Sequence, residues 1–371
     1  PRWNKFPLYL HQLEALQNAC EHKPFIMNVP TGLGKTYAGI IPSIIEGTAR
    51  TFFVFPSNAL VETQYNSMIS RIKELGEDYK LIKLTGDELL NYMIKKRYKT
   101  KGEALYDLIT KYERNIIFTN LDIMFNIVAM KYSKEKELVS PFKSSRIIFD
   151  EFHFYKNITA VLLGSLYEQL LKFTKDISFL SATPCFNSVV LLNRIGPRLK
   201  FITLNKKIKK KTDSKLIACH DVKLTISRPS HDIVNKAFSW LIERYDKKNV
   251  GMAILESVKD SIILYKRLKD EKINCFLYTG ILKDELPANL KKGIIVGTSA
   301  IEVGVDLDID YLFFEARNIT EFLQRFGRVG RHSSGEAYGI VHNEIFNQLQ
   351  RFPSRKILNR YRVLNILTQK E

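Results

Sequence analysis

Residues 30–36 read PTGLGKT, directly behind the apolar run PFIMNV (24–29) and ahead of YAGIIPSII (37–45). A short apolar run bounded by loop residues reads as a buried strand, and the resumed apolar pattern reads as a helix. Strand, glycine-rich loop and helix together form the context in which a phosphate-binding loop is credible. Gly32 and Gly34 let the chain bend so that successive backbone N–H groups face an anion. The helix that starts here adds the positive end of its dipole. Lys35 brings a point charge for the β- and γ-phosphates, and Thr36 brings a hydroxyl ligand for Mg²⁺. Pro30, Thr31 and Leu33 complete the cradle. One position departs from the usual pattern: Val29 stands where a glycine or alanine is common.

The alternation of strand and helix continues along the chain. A helix is expected over 8–22. Strands are expected over 51–56, 79–84, 115–120, 146–151 and 177–184. Helices fall at 58–75 and 157–174, with one or two charged surface helices over 87–113. KKIKKKTDSK at 206–215 is the sharpest change in composition and reads as a solvated linker. Beyond it the pattern restarts, with strands at 251–257, 274–279, 293–298, 311–316 and 337–342 and helices at 231–247, 259–272 and 319–328. A chain of 371 residues is too long for one ordinary core. The expected fold is therefore α/β, with two tandem domains whose parallel sheets carry helices on both faces. The expected boundaries are 1–205, the linker 206–215, 216–345, and a basic, helically patterned tail over 346–371.

Charge narrows the partner. Lys and Arg number 57 against 39 Asp and Glu, a formal net charge of +18. Such a basic field concentrates polyanions, nucleic acid above all. The four cysteines stand singly with no C-x-x-C pair, which argues against zinc and iron–sulfur sites and suits a reducing cytoplasm. No run of 18 uncharged apolar residues occurs, so no membrane partner is expected. The first residues, PRWNKFPLYL, lack a signal-peptide pattern and a starting Met, so the chain is expected to be cytoplasmic and trimmed or processed at its start.

The run RIIF delivers Asp150, Glu151, Phe152 and His153 at its end. Behind a phosphate loop, the first carboxylate can hold Mg²⁺ and the second can orient and deprotonate a water. Further along come Ser181-Ala182-Thr183, VGTSAIEVGVDLD (296–308) and QRFGRVGR (324–331). In this order, PTGLGKT, DEFH and these three strings resemble the motifs of superfamily 2 helicases of the DExH type. The resemblance covers nearly the whole chain.

It implies two RecA-like domains, with ATP and Mg²⁺ held between them. Lys35 and Thr36 would hold phosphates and metal, Asp150 the metal, and Glu151 the attacking water. Gln324 would lie near the γ-phosphate, with Arg328 and Arg331 as arginine fingers, a device worth roughly 10³–10⁵ in rate. Gly304 and Asp306 belong to the fifth motif and would serve the nucleotide. Gln12, in YLHQ, resembles the glutamine that reads adenine, with Phe6 or Tyr9 as its upstream aromatic. Ser181 and Thr183 would couple the domains, and His153 would link the carboxylates to that motif. The nucleic-acid contacts implied are Pro56 to Gln64, Thr119 to Asp122, Ser257, Thr279-Gly280 and Thr298-Ser299, made mainly to the phosphate backbone and blind to sequence.

Within the superfamily, Val303 replaces the arginine of the DEAD-box pattern. Glu302, Gly304 and Asp306 with QRFGRVGR look most like the helicase portion of the type I CRISPR effector nuclease-helicase. Those proteins carry an HD nuclease domain ahead of the helicase, and too few residues precede the loop here for one. The His-Asp pairs 220–221 and 231–232 fall in the second half. The expectation is a stand-alone helicase on single-stranded DNA, moving 3′ to 5′. Its partners would be a separate HD nuclease subunit and a type I CRISPR effector complex. A DExH helicase of DNA repair or RNA metabolism is the alternative within enzymes. An ATP-gated docking module without unwinding is the alternative outside them, and the presence of Glu151, Arg328 and Arg331 argues against it.

Overall fold

The structure is a computed structural model. It describes residues 8–29, 34–75, 79–129, 140–155, 158–174, 176–182, 186–203, 221–229, 232–245, 250–282, 284–287, 290–301, 307, 309–330, 333–350, 357–358, 363 and 367. Its packing divides the chain into two units, Pro1–Lys209 and Lys210–Glu371. The linker expected over 206–215 lies outside the described residues.

The first unit is built on β1 (Phe25–Asn28), β2 (Arg50–Phe55), β3 (Lys80–Leu84), β4 (Asn115–Asn120), β5 (Ser145–Phe149), β6 (Ile177–Ser181) and β7 (Lys200–Thr203). They lie in the order β3-β4-β2-β5-β6-β1-β7, with every pairing parallel. A parallel sheet covered on both faces needs strands that are apolar throughout. The run TFFVF supplies this: Phe52 and Val54 enter one core with Phe149 and Phe179, while Phe53 and Phe55 stack against Phe118 on the other face. Each such side chain taken from water stabilises by about 1.5–3 kcal/mol. Two strand ends fall short of expectation, at Phe149 and Ser181, so Asp150 and Glu151 lie on a turn just past the strand.

The charged stretch forms two helices, Gly86–Lys96 and Lys101–Thr110, capped by Thr85 and Thr100. The second is not a surface element, because Ala104, Leu105 and Ile109 are fully buried. β7 and the helices Leu121–Val128 and Phe186–Ile195 were not expected, and the helix Asn343–Gln350 starts three residues ahead of the helical pattern expected from 346.

The second unit holds β8 (Val222–Ser227), β9 (Val250–Ile254), β10 (Cys275–Tyr278), β11 (Gly293–Gly297), β12 (Tyr311–Ala316), β13 (Gly335–Val341) and β14 (Ile357–Leu358). Their order is β10-β11-β9-β12-β13-β8-β14, parallel except for β14, which runs antiparallel to β8. Met252, Ile254, Leu312 and Phe314 face one core, and Ala253, Tyr311 and Phe313 face the other. Of the tail expected as helical over 346–371, the described residues 346–350, 363 and 367 are helical, and Ile357–Leu358 adds a short strand. The tail's Val363 and Leu367 are buried in the core that holds Val222, so the tail is part of this unit. Among the described residues, no helix is long and apolar enough to cross a membrane.

Candidate functional site

Parallel strands carry their chemistry at one edge, in the loops beyond their carboxyl ends. In the first unit β1, β6 and β5 are neighbours. That order brings Lys35, Ser181 and the Asp150–Glu151 turn to the same edge. The N–H of Val29, just past β1, donates to the Ser181 carbonyl at 3.1 Å, so the third motif braces the start of the phosphate loop. Pro30, Thr31, Gly32 and Leu33 lie outside the described residues.

The helix Lys35–Glu46 starts from Gly34, whose φ of +73° is left-handed. A side chain there would be strained, and a Cβ would stand 2.4 Å from Gln12 Nε2. That approach has a purpose. Gln12 Nε2 donates to the Gly34 carbonyl at 3.1 Å, and Gln12 Oε1 accepts from the Tyr9 N–H at 3.0 Å. Gln12 therefore ties the first helix to the loop it precedes. Tyr9 stacks on His11, with ring centroids 5.4 Å apart. Phe6, the other candidate aromatic, lies outside the described residues.

Lys35 is buried, and its Nζ donates to the Val29 carbonyl at 3.0 Å. Asp150 is 3% exposed, and its Oδ1 accepts the Glu151 N–H at 2.8 Å. Burial, and then the charge of Glu151, push the Asp150 carboxyl up to about 7, while Lys35 and the Glu151 N–H act in the opposite direction. Glu151 has φ +49°, a conformation that costs about 1–3 kcal/mol and gathers at functional sites. Tyr155, fully buried, packs close enough for the Asp150 charge to add to burial in holding its hydroxyl protonated. Tyr155 stands outside the helicase-like motifs; its signal in the sequence is the apolar pair Phe152 and Tyr155 on the turn after the carboxylates.

This donor set fits Mg²⁺. A carboxylate pushed upward by burial, and then by its neighbour's negative charge, is relieved by a cation. Asp150 and the half-buried Thr36 would hold the metal. Ser181 is buried; Thr183 and the His153 side chain lie outside the described residues.

In the second unit Gln324 sits on the helix Ile319–Phe326, and its buried Nε2 has no hydrogen-bond partner among the described residues. Arg328 follows the helix, its N–H donating to the Arg325 carbonyl at 2.9 Å. Arg331, Glu302, Val303, Gly304 and Asp306 lie outside the described residues.

The candidate nucleic-acid contacts also collect at carboxyl ends. In the first unit, Asn120 Nδ2 donates to Asn58 Oδ1 at 2.6 Å and its Oδ1 caps the following helix at 2.8 Å, tying the loop after β4 to the loop after β2. Pro56 and Gln64 are half-buried and Asp122 is exposed. Thr119 faces the core at 0% exposure, because β4 runs on through Asn120. In the second unit β10, β11 and β9 are neighbours, and their ends carry Thr279-Gly280, Thr298-Ser299 and Ser257. Ser257 caps the helix Val258–Asp270. Thr279 is fully buried, its N–H and hydroxyl both bonded to Leu282 within their own turn. Thr298 is buried and its N–H donates to the Tyr278 carbonyl at 3.3 Å. Gly280 and Ser299 are the exposed members.

Two α/β units, the first bringing a loop lysine to the same sheet edge as the buried Asp150 and the half-buried Glu151, define a tandem RecA-like fold. Residues 9–190 match the family model for the DEAD/DEAH box helicase, and residues 247–334 match that for the C-terminal part of the CRISPR-associated nuclease/helicase Cas3. The first unit thus resembles a DEAD/DEAH box helicase domain and the second the C-terminal part of Cas3. An uncharacterized ATP-dependent helicase of Methanocaldococcus jannaschii is 24% identical over 91% of this chain and 49% of its own length. The CRISPR-associated nuclease/helicase Cas3 of Methanothermobacter thermautotrophicus is 21% identical over 92% of this chain and 43% of its own length. Among solved structures, the DUF1998 helicase MrfA bound to DNA aligns with TM-score 0.68 and 19% identity over 94% of this chain and 52% of its own. The chain spans about half or less of the length of these relatives.

Proposed function

We propose that this chain is the motor core of an ATP-dependent helicase that steps along single-stranded DNA, 3′ to 5′, in CRISPR interference. The observation that carries the reading is the meeting of Lys35 with the Asp150–Glu151 turn at one sheet edge. Lys35 leaves the Val29 carbonyl for the phosphates. Thr36 and Asp150 would hold Mg²⁺, which would supply positive charge to offset that of the phosphates, and Gln12 holds the base. Glu151 takes a proton from the water that attacks the γ-phosphorus, and the bond to the β-phosphate oxygen breaks to leave ADP. Gln324, Arg328 and Arg331 offset charge on the transferring group. Pro56, Gln64, Ser257, Gly280 and Ser299 contact the strand.

The CRISPR assignment is supported by the Cas3 C-terminal match and by relatives named Cas3. Its partners would be an HD nuclease and a type I effector complex. A second reading, a DNA helicase outside CRISPR defence, is favoured by the equal likeness to MrfA bound to DNA.

ATPase measured with single-stranded DNA or RNA, together with strand displacement, tests the proposal. Stimulation by DNA, and displacement lost in Lys35→Ala, are expected. Stimulation by RNA alone, or equal displacement by wild type and Lys35→Ala, overturns it.

A further inference from the structure

Arg325 stands between Gln324 and the Gly327–Arg328 turn, yet its side chain turns inward and the residue is 2% exposed. Its Nη1 donates to a carboxylate oxygen of Glu256 and to the backbone carbonyl of Glu315. The Glu256 N–H in turn donates to Glu315 Oε2 at 2.8 Å. The exposed Arg317 reaches the other Glu256 oxygen at 3.3 Å. Burial raises the Glu315 carboxyl above the usual range.

Desolvating a guanidinium costs several kcal/mol, and an ion pair rarely outperforms a well-packed apolar substitute. The helix Ile319–Phe326 does not need the charge for anchorage, since Phe322, Leu323 and Phe326 are already buried. What the charge adds is connection. Glu256 lies between the end of β9 and Ser257, whose hydroxyl caps the next helix. One guanidinium thus grips the strand end that feeds the Ser257 loop and the β12 backbone, while riding on the helix that presents Gln324 and Arg328. Every link lies within the second unit.

We infer that Arg325 is a positioning residue that, through Glu256, sets the Gln324–Arg328 turn according to the state of the Ser257 loop, so that strand binding raises the hydrolysis rate. This inference rests on the proposed function. Lysine cannot replace it, because the ammonium lacks the planar fork that meets a carboxylate and a carbonyl together.

The test compares the full chain with Arg325→Lys, Glu256→Gln, the double variant and Arg317→Ala. ATPase is measured with and without saturating single-stranded DNA, and DNA binding is measured by anisotropy. Both single variants should lose stimulation at saturating DNA by about tenfold, since ångström-scale misplacement of a reacting group costs up to about 10². Their DNA binding should stay within about threefold of wild type, the span of roughly 0.7 kcal/mol. The double variant should lose no more than the worse single, as expected of one shared contact. Arg317→Ala should respond as wild type.

Stimulation retained in either single variant, losses that vanish once DNA binding is matched, or additive losses in the double variant overturn the positioning role. Glu256→Gln keeps shape and hydrogen-bond capacity, so it decides the matter if Arg325→Lys fails to fold. A wild type indifferent to DNA overturns both this inference and the helicase reading; a responsive wild type with responsive variants overturns only this one.

Discussion

Two residues give predictions at the scale of single side chains. Asp150 is an acid whose folded pKa, about 7, lies above its ordinary value of 3.8. The folded state therefore holds the proton more tightly than the unfolded chain. The contribution to stability is fully present below the ordinary value and is lost as pH rises toward about 7. Asp150→Asn has no such ionisation. In metal-free buffer its melting temperature should gain on wild type between pH 5 and pH 8, by about 2–4 °C for each kcal/mol recovered. A gap that stays constant over that range contradicts the burial argument. The second residue is Gly34. Gly34→Ala places an L-residue in the left-handed region, at about 1–2 kcal/mol, and drives its methyl into Gln12 Nε2. It should weaken ATP binding and lower the melting temperature. Gln12→Ala in the same chain clears the collision but leaves the strain. The double variant should thus lose less than the sum of the two singles, with a coupling of about 0.5–3 kcal/mol, read by nucleotide titration.

Elements are where the sequence was most and least informative. β9 and β12 pair so that Gly251 stands opposite Tyr311, and a Cβ at Gly251 would lie 2.3 Å from the ring. Gly251→Ala should therefore cost about 1–3 kcal/mol by overpacking, and Tyr311→Leu should restore most of it; denaturant melts of both variants decide. The central strands were legible because burial on both faces leaves uninterrupted apolar runs such as IIF and FFVF. β7 was not, since in KFIT only Ile202 is buried, and a two-residue strand such as β14 leaves no pattern at all. The helix Leu121–Val128 was missed because LDIMFNIV continues the apolar character of β4; Asn120, which caps it, was the available signal. In the site, Lys35 and the two carboxylates could be found by spacing. The left-handed turn at Glu151 depends on tertiary context. So does the inward course of Arg325, for a charged residue reads as solvated until its carboxylate partner Glu256, far away in sequence, is brought beside it.

At the scale of the molecule, the net charge of +18 and the nature of the candidate contacts point to different steps of binding. Pro56, Gln64, Ser257, Gly280 and Ser299 carry no charge, so they can hold a strand only through short-range hydrogen bonds and packing. The positive field comes from lysines and arginines spread over both units. Such a field acts over about a Debye length, roughly 10 Å at 0.1 M salt, and accelerates encounter more than it strengthens the final contacts. Salt should therefore slow association of single-stranded DNA steeply and leave dissociation nearly unchanged. Between low and physiological salt the association rate should fall by about tenfold or more, within the range seen for steered encounters. RNA of equal length should show the same association slope, because both polymers present the same phosphate charge. Any preference for DNA should then appear in the dissociation rate, where the 2′-hydroxyl is felt. Stopped-flow measurements across a salt series separate the two rates. A dissociation rate that carries most of the salt dependence would mean that basic side chains grip the strand directly, and the uncharged edge would then have been misassigned.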